Sequence, residues 1–143
     1  MQIVYNLPHV FSLEASRVEN AEVLRALLEC LVQVNLAFLR CHPRVRKLYD
    51  SGVVYGRTKE WEPIPALFER GYGDCKSLSA ALIAEYVMAG KKAAPVFRFS
   101  PGSYRGDGSI LYHILVQRPE RVEDPSRVLG MGRNEWAHFS HYR

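Results

Sequence analysis

The stretch that most constrains this chain is Arg70-Gly71-Tyr72-Gly73-Asp74-Cys75-Lys76-Ser77-Leu78, where two glycines punctuate a turn and a helix then starts on a cysteine. Beyond Cys75, the residues Leu78, Ala81, Leu82, Tyr86 and Ala89 recur at three- and four-residue spacing, and Gly90 with Lys91 and Lys92 forms a helix stop. The pattern predicts a turn, a cysteine on the first helical turn, a buried helix and a cap. A helix start favours the thiolate of a cysteine placed there, because unpaired backbone N–H groups and the helix dipole attract negative charge. The glycines let backbone approach a substrate with no Cβ in the way. A lone cysteine in such a position is more often a small core residue than a nucleophile, so the decision rests downstream.

Downstream, Leu111 to Val116 reads as a strand that carries His113. A short turn near Arg118, Pro119 and Glu120 leads to Val122-Glu123-Asp124-Pro125 as the returning strand. With positions 117 and 120 flanking the turn, His113 falls opposite Asp124, within reach of a carboxylate. The chain therefore offers Cys75 as nucleophile, His113 as general base and Asp124 as the group that fixes its tautomer. A core histidine bonded to a structural aspartate accounts for the pair equally well; all three together point to acyl transfer.

This combination resembles the transglutaminase-like cysteine peptidase superfamily. The resemblance rests on Gly-Asp-Cys at the helix start, the glycine that ends the helix, Tyr112-His113 before aliphatic residues, and Glu123-Asp124-Pro125-Ser126, and it runs from about Trp61 to Met131. It implies Cys75, His113 and Asp124 as the catalytic residues and a transglutaminase/papain-like core. The residues from Ser51 to Gly73 leading into Gly-Asp-Cys are most similar to small transglutaminase-like proteins of tailed bacteriophages. That similarity implies other phage structural proteins as partners and the host cytoplasm or the virion as location. Small members of the family often carry acidic residues after the cysteine, whereas Lys76 and Ser77 follow it here. A lysine beside the thiol is expected to favour the thiolate further. In the superfamily the segment before the cysteine lines the cleft, which makes Trp61 and Tyr72 candidates for a substrate wall or an oxyanion donor, with plain packing the commoner role for Trp61.

With 143 residues, 48% of them hydrophobic, the chain is expected to form one domain, residues 1–143, with a core of its own. The net charge of +4 reads as a mild excess spread along the chain, suited to an acidic contact and demanding no nucleic acid. No apolar run is long enough for a membrane span and no secretory signal is evident, so a cytoplasmic protein is expected. Three cysteines without a CxxC spacing argue against disulfides and zinc, and Cys30 and Cys41 are expected to pack on a helix. His9, His138 and His141 have no third ligand in view, so no metal is expected.

In chain order, Met1 to Leu7 alternates as a short edge strand, and Asn20 to Arg40 carries the strongest helical stripe: Leu24, Leu27, Leu28, Leu31, Val34, Phe38 and Cys41. His42-Pro43 breaks that helix, and Arg44 to Lys47 is a basic cluster expected on a solvated face. Leu48 to Arg57 reads as a connection, Ala66 to Arg70 as a short segment before the turn, and Ala94 to Phe99 as a strand. A glycine-rich loop, residues 100–109, contains Arg105-Gly106-Asp107, a chance match to an integrin-binding tripeptide; its better use is as a lid.

The expected fold is α+β, with N-terminal helices packed on a small, mostly antiparallel sheet and the site where the Cys75 helix meets the strands. The expected reaction is cofactor-free acyl transfer from a protein or peptide substrate through a thioester, with water as the first-choice acceptor. An amine acceptor, making a cross-linking transglutaminase, is the alternative. An inactive virion or assembly module, and an arylamine acetyltransferase, are further readings; the last is disfavoured because such enzymes carry far more chain.

Overall fold

The computed structural model describes residues 17–99 and 111–135. The predicted edge strand at 1–7, the loop at 100–109 with its Arg-Gly-Asp, and the three histidines His9, His138 and His141 lie outside the described residues.

The architecture is mixed, with helices against a small antiparallel sheet, as an α+β chain requires. A long helix, α1 (Arg17–Cys41), is followed by a 3-10 turn (Leu48–Asp50), a short strand β1 (Val54–Tyr55) and helix α2 (Ile64–Arg70). Strand β2 (Tyr72–Gly73) leads into helix α3 (Cys75–Met88), then β3 (Ala94–Phe99), β4 (Tyr112–Gln117), β5 (Val122–Glu123) and a short α4 (Pro125–Val128). The sheet has the order β3-β4-β5 and is antiparallel throughout, while β1 and β2 form a separate two-residue parallel pair. Residues 53–55 are thus part strand rather than pure connection: their backbone finds partners in the glycine turn ahead of Cys75, with Val54 N–H donating to Gly71 O at 3.1 Å.

The centre of the molecule is α3. Every residue from Cys75 to Glu85 is buried, so this helix is enclosed on all sides, as a helix apolar all round must be. Its small residues Ala80, Ala81 and Ala84, all at 0% exposure, let α1 and the sheet come close. Gly90, with φ 72°, ends it as expected.

Against α3, α1 presents Leu24, Leu28, Leu31, Val32, Leu36 and Leu39. The predicted stripe is therefore rotated: Val34 is 48% exposed, and Cys30 and Cys41 are exposed rather than packed. At about 100° of turn per residue, both cysteines fall on the side of the helix opposite Leu28, Asn35 and Leu39. Asn35 sits in the buried face because its Oδ1 accepts the Ile64 N–H at 2.8 Å, a free donor at the start of α2.

Candidate active site

Two glycines deliver the cysteine. Gly71 ends α2 in the left-handed region, φ 79°, where only glycine is comfortable. Gly73 is required by space: a Cβ there would lie 2.5 Å from Leu67 Cδ1, inside contact distance. Asp74 then caps α3, its Oδ1 accepting the Lys76 N–H at 3.1 Å. Cys75 follows at the first helical position, 7% exposed, where its own N–H has no intrahelical acceptor.

Lys76 plays a different part from the one its position suggests. It is 5% exposed, its Nζ is bound to the Asp74 carboxylate, and it also donates to Thr58 O at 2.9 Å. A buried ammonium needs a counter-charge within a few ångströms, so Lys76 is neutralised by Asp74 instead of standing as a free cation beside the thiol. Burial raises the Asp74 carboxyl, and the Lys76 charge opposes that rise.

His113, 2% exposed, comes from β4 and forms a side-chain hydrogen bond with Cys75. Its Nε2 lies 3.0 Å from Asp124 Oδ2, which leaves Nδ1 to exchange a proton with the thiol. Burial pulls the imidazole pKa down, but the Asp124 and Cys75 hydrogen bonds and charges prevail and raise it to about 9. A ring raised this far carries both of its protons at neutral pH.

Asp124 does not sit on a strand. It caps α4, with Pro125 at the first helical position and Oδ1 accepting from Ser126 N–H (3.0 Å) and Arg127 N–H (3.3 Å). One oxygen starts the helix; the other holds His113. The hairpin register also differs from expectation: Gln117 pairs with Val122 and Val116 with Glu123, so Arg118 and Arg121 flank the turn. The difference amounts to two positions, and a shift of two keeps every side chain on its own face, so Asp124 still reaches the ring. Sequence showed a turn but could not set its length.

Of the remaining nominated residues, Trp61 is half-buried against the core. Tyr72 is 40% exposed on β2, with the Arg70 guanidinium 5.5 Å from its ring. Two tyrosines not singled out from sequence, Tyr55 and Tyr112, pack partly buried against the core cluster that includes Cys75. Burial, with the Cys75 charge adding to it, raises both Tyr55 and Tyr112, so each keeps its phenol proton as a donor. Tyr55 shares a hydrogen bond with Glu135, and Glu135 also faces Arg57 at 3.4 Å. Tyr112 stood in plain view next to His113 in the sequence; nothing in its spacing told donor from core aromatic.

Among the described residues no cluster of histidine, cysteine or acidic side chains could hold a metal, and no helix is long and apolar enough to cross a membrane. Comparison with protein-family models, with curated proteins and with solved structures finds no match for this chain.

Proposed function

We propose that the protein is a transglutaminase-like cysteine enzyme that cleaves a peptide or amide bond through a thioester on Cys75. The observation that carries this reading is His113 held between Cys75 and Asp124, with Nε2 3.0 Å from the carboxylate. The Cys75 sulfur attacks the carbonyl carbon, and the oxyanion is held by the Cys75 N–H and one further donor. The His113 imidazolium gives its proton to the leaving amine, and the C–N bond breaks to leave the thioester. Water then gives a proton back to His113 and its oxygen displaces the sulfur, which restores the thiolate and imidazolium. An amine in place of water would join two chains by the same steps. The substrate class is a protein or peptide, with phage structural proteins the specific candidates that the sequence resemblance offers.

The test uses the two exposed cysteines as internal references. Iodoacetamide labelling is followed against pH by peptide mass spectrometry at Cys30, Cys41 and Cys75 in the parent and in His113→Ala. The expected outcome is a pH profile at Cys75 unlike those of Cys30 and Cys41, one that reverts toward theirs in His113→Ala. Peptidase activity falls in parallel by about 100-fold or more. Superimposable Cys75 profiles in parent and variant would sink the assignment.

A further inference from the structure

At the far end of α3 from Cys75, six cations gather. Arg40, Arg44, Arg46 and Lys47 come from the end of α1 and the loop after it, and Lys91 and Lys92 from just beyond α3. All six are exposed, and none forms an ion pair with a described carboxylate. Elsewhere Arg57, Arg70, Lys76, Arg118 and Arg121 each face an acid. Two acids lie close to Lys47 and offset part of its charge. Glu85 is buried and turns its Oε1 to the Leu48 N–H at 2.7 Å, and Asp50 is a single exposed carboxylate in the 3-10 turn. Six of the chain's 19 basic residues thus come from two stretches, 40–47 and 91–92, that the fold brings to one end.

Between these cations the surface is apolar. The ends of α1 and α3 lie side by side and enclose a shallow depression bordered by Leu39, Val45, Lys47 and Met88. It adjoins a second of about 470 Å³ between Phe38, Arg44 and Val45, and both share His42, Pro43 and Val45, with the His42 ring stacked on Phe38 at 4.3 Å. Met88 and the neighbouring Val87 are 39% and 40% exposed, large apolar groups left in water at a charged rim. Of the cations, Lys91 has a further contact, its ammonium lying 6.0 Å from the Tyr86 ring.

We propose that this end of the molecule binds an acidic protein segment carrying one bulky apolar side chain. The side chain enters the depression between Leu39, Val45 and Met88, and carboxylates on either side meet Arg44, Lys47, Lys91 and Lys92. A duplex phosphate backbone would satisfy the cations and leave the apolar floor without contact, whereas an acidic segment with one apolar side chain meets both. The fourteen residues of α3 place this surface roughly 20 Å from Cys75, so the inference is independent of the thiol chemistry.

The probe is a short fluorescein-labelled peptide of glutamates and aspartates with one central leucine, titrated with the full chain and read by anisotropy. Binding is expected to saturate and to weaken as salt is added. Arg44→Glu combined with Lys47→Glu weakens it by about tenfold or more. A probe with serine in place of the leucine binds about threefold or more weakly to the parent protein. Circular dichroism of the double variant matches the parent, and labelling at Cys75 does not change. Absence of saturable binding overturns the proposal. So does equal binding of the serine probe or of a single-stranded oligonucleotide, which would make the surface a general polyanion contact.

Discussion

The two ends of α3 handle charge in opposite ways. At its start, Asp74 and Lys76 are bound to each other and His113 to Asp124, and all four side chains are at most 12% exposed. Beyond its other end, Lys91 and Lys92 stand in solvent, and neither forms an ion pair with a described acid. Water accounts for the difference. A charge removed from water costs several kcal/mol unless a partner replaces the solvent, whereas an exposed ammonium keeps its hydration and needs nothing. Buried charges therefore become a fixed constellation, as pre-organised chemistry demands, and exposed ones remain open to another molecule.

The largest effect should come from unpairing the buried end. Asp74→Ala removes both the cap of α3 and the counter-charge of Lys76, and is expected to cost about 3 to 5 kcal/mol in urea unfolding. Adding Lys76→Met should return a good part of that loss, because no unpaired ammonium is then left inside. A double variant as unstable as the single one would break the charge argument.

Next comes the proton on His113. Its pKa is raised to about 9 from 6.5, so taken alone this group contributes stability that is complete below pH 6.5 and lost as pH rises through about 9. Asp124→Asn removes the carboxylate that does most to raise it and leaves burial opposed by Cys75 alone. The imidazole C–H resonances should then titrate at least a unit lower, a change of about 1.4 kcal/mol in the balance between the two forms. An unmoved midpoint would mean that Asp124 merely caps α4.

A smaller effect is expected in the last turn of the helix. Tyr86 Oη donates to Glu123 Oε2 at 2.7 Å, and Tyr49 Oη donates to Glu123 Oε1 at 2.7 Å, which ties β5 to α3 and to the 3-10 turn. Burial raises the Glu123 carboxyl, but these two donors and the Arg121 charge hold it below the ordinary carboxylate range. Tyr86→Phe should cost about 1 to 2 kcal/mol in urea unfolding, and Glu123 should titrate higher. The smallest effect belongs to the exposed end. Arg46→Ala should change stability by less than about 0.5 kcal/mol by the same measurement. A larger loss would show a structural partner there and remove the contrast.

Much of this arrangement was legible in the residues. The order glycine, cap, cysteine, helix, stop is local chemistry, and α3 begins at Cys75 and ends before Gly90 for the reasons the sequence supplies. The strand of His113 and the break at His42-Pro43 are local in the same sense. Asp124 was legible as an acid near His113, while its role as the cap of α4 was hidden inside Asp-Pro-Ser until the strand proved to be two residues long.

What the sequence alone determined is the set of elements and the spacing of their chemistry, since propensity, capping and periodicity act within a few residues. The tertiary structure decided which face of α1 is buried, and so exposed Cys30 and Cys41. It also decided that Lys76 meets Asp74, that Tyr55 and Tyr112 pack against the core cluster that includes Cys75, and that Arg44 and Lys47 share an end with Lys91 and Lys92. Each of these depends on partners distant in the chain or on competition between burial and solvation, and neither quantity exists until the helices and the sheet have packed together.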